Sequence, residues 1–278
     1  MSDDDAVETG SSSRSDNVGG TLSLTSPTRR RRVAALVVVL ALGVGGLASA
    51  QPQAPPEPPP RFDLTAQFTF LGTTGNSETS SLGLGAELAW RPDPWEHLAK
   101  AKFVRNETDD VLSARSFVAL YRASRRLNER LSAYGQYDFQ RDIFAGIEQR
   151  HIVEGGLSYL AIRQPRQRLR FDAGLGYLYE NHPLDEHFDS MTISLGARYE
   201  ADISATAKFT YEPRYLVTVS DAGAYRFEQE AALTAALTSL LSLKLSHSVR
   251  YSAQPPVGFK NTDTIAAVSL VAKIRRAQ

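Results

Sequence analysis

Residues 168–180 read Arg168-Leu169-Arg170-Phe171-Asp172-Ala173-Gly174-Leu175-Gly176-Tyr177-Leu178-Tyr179-Glu180. Leu169, Phe171, Ala173, Leu175, Tyr177 and Tyr179 occupy one side of a two-residue period. Arg168, Arg170, Asp172, Gly174, Gly176 and Glu180 occupy the other. A pleated strand imposes that period, because successive side chains leave opposite faces. The stretch therefore predicts a strand with one apolar and one polar face.

Outward from it the same alternation recurs, about twelve times in all, between Phe62 and Ile274. Phe62, Leu64, Ala66, Phe68 and Phe70 share a face, as do Leu82, Leu84, Ala86, Leu88 and Trp90. The fourth strand, near Ala114 to Arg125, has an unbroken apolar run from Phe117 to Tyr121, which leaves its facing open. The odd-numbered breaks are Thr73–Ser77, Asn106–Ser113, Ile143–Glu148, Asn181–Asp189, Val219–Ala224 and Ala253–Lys260. Most are longer than the even-numbered ones, such as Arg91–Pro94 and Leu127–Arg130. Short periplasmic turns and longer external loops are the rhythm of outer-membrane barrels.

Alternation alone is symmetric between a soluble β-sandwich or lipocalin-like barrel, with its apolar face inside, and a membrane barrel, with that face outside. Aromatic residues near strand ends, such as Trp90, Trp95, Tyr159 and Tyr179, suit the interfacial girdles of a lipid-facing band. Charges interleaved with glycines on the other face suit a crowded lumen. The expectation is an all-β, single-domain, antiparallel up-and-down transmembrane β-barrel of about 12 strands.

The front of the chain predicts export. Arg29 to Arg32, an apolar run from Val33 to Leu47 and Ala48-Ser49-Ala50 give the order of a signal peptide, with cleavage after Ala50. Residues 1–50 are thus read as an unstructured basic region and signal, 51–61 as a proline-rich periplasmic linker, 62–274 as the barrel and 275–278 as a tail. A retained anchor is the competing reading, but Gly43, Gly45 and Gly46 weaken the end of the run. The absence of cysteine fits an oxidising compartment. The 31 basic and 31 acidic residues balance and leave no basic footprint for nucleic acid.

Three segments carry a family resemblance: Thr74-Gly75-Asn76-Ser77-Glu78-Thr79-Ser80-Ser81-Leu82-Gly83-Leu84, Leu127-Asn128-Glu129-Arg130-Leu131, and Tyr137 to Arg150 with its Arg141-Asp142-Ile143-Phe144-Ala145-Gly146-Ile147 turn. With these the chain resembles, over about Phe62 to Ile274, the salt-induced outer-membrane protein family, also called domain of unknown function 481. The resemblance implies an outer-membrane barrel of a Gram-negative bacterium, without an assigned activity or catalytic residues. The chain departs from the usual outer-membrane pattern in holding Ile274, not an aromatic, at the end of its last strand.

No enzyme is expected. An outer-membrane phospholipase needs a serine two residues from a histidine on one strand face. The residues two places after His97, His151, His182, His187 and His247 are Ala99, Val153, Leu184, Asp189 and Val249. The loop Asn181 to Asp189 and the acidic group Glu107, Asp109 and Asp110 offer oxygen and nitrogen donors near lipopolysaccharide, but their spacing matches no metal motif. No metal or cofactor is therefore expected, and the partners expected are the bilayer, lipopolysaccharide and the outer-membrane assembly machinery.

The residues expected to line the lumen are Glu87, Lys100, Lys102, Asp138, Arg150, Glu154, Arg170, Asp172, Arg198, Glu200, Lys208, Glu212, Arg226, Glu228, Lys244 and Arg250, with Glu230 and Asp263. Their interleaved signs favour cross-strand pairing, hence a filled or narrow barrel serving envelope structure or salt adaptation. A narrow diffusion channel is the alternative, and a soluble periplasmic ligand-binding barrel a third.

Overall fold

A computed structural model describes residues 61–73, 79–109, 111–182, 187–256 and 258–276. The predicted signal peptide, its cleavage after Ala50, all of the linker but Arg61, the 74–78 break and the end of the tail lie outside the described residues. So do His187's loop neighbours at 183–186.

Twelve strands follow in order: β1 (Phe62–Thr73), β2 (Thr79–Trp90), β3 (Trp95–Thr108), β4 (Val111–Arg126), β5 (Leu131–Asp142), β6 (Ile147–Arg163), β7 (Gln167–Asn181), β8 (His187–Asp202), β9 (Ala207–Thr218), β10 (Tyr225–Ala236), β11 (Leu241–Ser252) and β12 (Thr262–Arg276). Each pairs antiparallel with its chain neighbours, and β1 pairs with β12 from Phe62↔Arg276 to Phe68↔Leu270, closing the barrel. Closure leaves no unpaired edge, so every strand satisfies its backbone donors and acceptors within the wall.

The strands run further than the sequence predicts on one side. The expected break Asn106–Ser113 shrinks to residues 109–110, because β3 and β4 continue past a bulge at Asn106/Glu107. Glu107 there pairs with Arg105 on β3, Asp109 sits in the turn, and Asp110 lies outside the described residues. The long-short rhythm persists where residues 253–261 join β11 to β12. The β5–β6 connection holds a single 3-10 turn, Ile143–Ala145, closed by Gly146 at φ 73°, a left-handed conformation glycine adopts without strain.

The facing of β4, open in the sequence, is resolved. Val118, Leu120 and Arg122 line the interior, while Phe117 and Tyr121 are exposed outside.

The polarity of the barrel is inverted relative to a water-soluble protein. Among the described residues eight apolar ones are buried against fifteen polar or charged ones, while apolar side chains such as Leu175, Val153 and Phe70 are more than 60% exposed. Aromatic rings cluster outside near both ends. Trp90 stacks on His97 at 5.1 Å near the β2–β3 turn. Phe139 meets His151 at 5.2 Å, and Tyr215 meets Tyr225 at 5.4 Å, near the opposite end.

Candidate functional site: the charged lumen

Because interior positions alternate with exterior ones, each strand projects its polar set into one shared space. The result is a ladder of ion pairs across the lumen. Arg214 bridges Asp138 at 2.9 Å and Glu154 at 2.8 Å. Arg198 bridges Glu200 at 2.7 Å and Glu212 at 2.9 Å. Lys100 lies 3.2 Å from Glu87 and 3.7 Å from Glu212, while Glu230 takes Lys244 at 2.7 Å and Lys102 at 3.6 Å. Lys208 meets Asp202 at 3.6 Å.

Toward the end carrying the odd-numbered connections, Glu180 is 1% exposed and accepts from Arg150 at 2.6 Å and Arg226 at 2.9 Å. His182 Nε2 lies 2.7 Å from the other oxygen of Glu180. Asp189 accepts from the Tyr177 hydroxyl. Of the described residues of the predicted histidine-acid loop, Asn181 ends β7, His182 follows it, and His187 and Asp189 begin β8. Ile152, Leu178 and Leu216, with Phe188 against them, form a small apolar cluster. Packed polar groups accompany it, and Thr192 and Thr218 are 1% exposed or less.

The other half of the lumen is open. A cavity of about 1110 Å³ reaches from Asp138, Glu154, Arg214 and Glu228 down to Arg91, Arg126, Gln164 and Pro165 at the rim of the even-numbered turns. Among the described residues, none of the opposite rim is in its lining. Of the sixteen expected lumen residues fourteen line this cavity, and Arg150 and Arg226 sit in the packed layer with Glu180. Asp263 lies opposite Arg250 in the β11–β12 register, whereas Arg250 pairs with Asp142 at 3.5 Å.

The sequence reading missed the center of the network. Arg122, 7% exposed, donates to Asp172 at 2.9 Å and Ser158 at 2.6 Å, and its guanidinium lies 3.6 Å from the center of the Tyr134 ring. Tyr134 in turn donates to Glu154 at 2.5 Å. The apolar run around Arg122 hid its facing. Tyr134 shares a face with Ser132 and Gln136, a signal that was present.

Lining the cavity are fourteen lysines and arginines and ten aspartates and glutamates. The balance of the whole chain therefore conceals a local basic excess.

These features define a class: a closed antiparallel β-barrel with a charged, half-filled lumen and an apolar outer wall. The chain belongs to the family described as "Protein of unknown function, DUF481", which matches residues 66–274. No curated protein matches it. Among solved structures it is similar to the NanC porin, at 10% identity over 78% of this chain and 100% of that one, with a TM-score of 0.45. An outer membrane channel from Pseudomonas putida F1 gives 10% identity over 80% and 100%, with a TM-score of 0.46. The translocator domain of the autotransporter NalP from Neisseria meningitidis gives 12% over 77% and 87%, with a TM-score of 0.44.

Proposed function

We propose that this protein is a Gram-negative outer-membrane barrel, its even-numbered turns and both barrel termini toward the periplasm, with a lumen filled at the external half. Its role is that of an envelope barrel without catalytic activity. The observation that carries this reading is the inverted polarity. An apolar belt as exposed as Leu175, at 62%, is costly in water and favourable in lipid. The aromatic rings near both ends match the interfaces of such a belt. Heat-modifiable migration and recovery in outer-membrane fractions are the expected results, and a protein recovered soluble from the periplasm would sink the proposal.

The filled half rests on the Arg150–Glu180–Arg226 layer and the apolar cluster beside it. Planar-bilayer recording is expected to give no large, stable conductance steps. A narrow diffusion channel is the second reading, favoured by the cavity of about 1110 Å³, and such steps would select it. The salt-linked role carried by the family resemblance predicts a growth defect of a deletion strain in high-salt medium.

A further inference from the structure

The wall formed by β6, β7 and β8 sets arginine against arginine across the strands. Arg163 lies directly opposite Arg168 in the β6–β7 register, and Arg170 lies opposite Arg198 in the β7–β8 register. Like charges facing across strands, with Cβ atoms about 5 Å apart, repel. All four arginines line the cavity.

Arg163 is there because of a bulge. Leu160 pairs with Arg170, but Ile162 pairs with Leu169, so Ala161 is an extra residue in β6. An inserted residue reverses the facing of everything beyond it. Without it, Ile162 would point into the lumen and Arg163 outward. The bulge thus brings a fourth arginine into a wall already holding three.

The local carboxylates are already engaged, and fewer than the cations around them. Glu200, opposite Arg168, pairs with Arg198 at 2.7 Å. Asp172 is shared by Arg122, at 2.9 Å, and Ser158, at 2.6 Å. Arg170 Nε is 3.2 Å from Asp172 yet buried without a hydrogen bond. Among the described residues neither Arg163 nor Arg168 has a carboxylate within ion-pairing distance. Guanidinium forks match the planar oxygens of phosphate and carboxylate groups.

We propose that the Arg163–Arg168–Arg170–Arg198 wall is a binding site for a multivalent oxyanion, a solute bearing two or more phosphate or carboxylate groups, entering from the even-turn rim. The site rests on the cavity and not on the membrane, so binding in detergent micelles reads it independently of where the barrel resides.

The test is calorimetric titration of the full chain in micelles, at low salt, with pyrophosphate and with citrate. Saturable binding of at least one is expected. Pyrophosphate alone would assign phosphate chemistry, citrate alone carboxylate chemistry, and both a general oxyanion site. The double variant Arg163→Gln/Arg168→Gln should bind at least about tenfold more weakly, and Arg163→Lys, which keeps charge but loses the fork, should fall between. Arg130→Gln, in the β4–β5 turn and outside the cavity lining, should bind within about twofold of the native chain under the same counter-ion screening. Unchanged heat-modifiable migration checks folding, and the exposed single Arg163→Gln serves if the double variant fails it. Absence of saturable binding of both anions, or native-like binding by a folded Arg163→Gln or Arg163→Gln/Arg168→Gln variant, overturns the proposal.

Discussion

Tyr134 lies where two side chains are missing. Gly156 and Gly174 face each other across β6 and β7. A Cβ on Gly174 would come within 2.6 Å of the Tyr134 hydroxyl and 2.7 Å of Glu154. The ring thus covers the glycine pair, and Arg122 covers the ring. Gly174→Ala is expected to cost about 1–3 kcal/mol by overpacking, read as a lower urea midpoint of the barrel in lipid vesicles. Arg214→Gln removes the partner of both Asp138 and the almost fully buried Glu154. Its expected cost is about 3–5 kcal/mol in the same measurement, because a buried charge left unpaired is penalised more than the pair is rewarded. The glycines of β7 were legible in the sequence as signs of a crowded lumen. Which ring filled the space was not, since alternation fixes a face but not the neighbour across two strands.

Three of the even-numbered connections are one device repeated. Leu127-Asn128, Ile203-Ser204 and Leu237-Thr238 each begin a four-residue turn in which the first two N–H groups donate to one carbonyl, Leu131, Ala207 and Leu241 respectively. The second residue's side-chain oxygen then accepts from the N–H groups of the turn's last residue and of the first residue of the next strand, as Asn128 Oδ1 does from Arg130 and Leu131 at 2.9 and 2.8 Å. Ser204 and Thr238 do the same. Asn128→Ala, Ser204→Ala and Thr238→Ala should each lower stability by about 1 kcal/mol. The break Leu127–Arg130 was readable as a gap in the alternation, but the side-chain caps that close these turns were not. The bulges were not, because an extra residue leaves no mark on composition and only the partner strand reveals the slip. In the β9–β10 connection, Asp221 accepts from Gln254 at 2.9 Å and from the Gly223 N–H at 2.8 Å. Those bonds hold its carboxyl below the usual carboxylate range. A depressed value means the tie is fully present above the ordinary carboxylate pKa and is lost as pH falls through the lowered one. Protease nicking of this connection should therefore rise only in strong acid, and in Asp221→Asn the rise should disappear.

The whole molecule reads as a protein turned inside out, and that inversion yields the sharpest stability contrast. Leu175→Arg, mid-strand on the outer wall, should destabilise the barrel by about 2–4 kcal/mol in a bilayer. The same change at Tyr159, nearer the rim, should cost about 0–1 kcal/mol. Equal effects at both sites, read by urea unfolding in vesicles, would argue against a belt buried in lipid. Alternation made the strands legible, and the aromatic strand ends with the charged, glycine-bearing opposite face pointed the apolar side outward. The excess of positive charge in the cavity was not, since the sum over 278 residues is zero and only closure of the barrel sorts the charges into one compartment. A compartment lined up to one rim alone has a kinetic consequence. With the external half filled as proposed, a solute that enters it leaves by the same mouth, and its occupancy follows concentration on that side. In that proposed geometry the anion's residence is set by the arginine wall rather than by a gradient across the membrane.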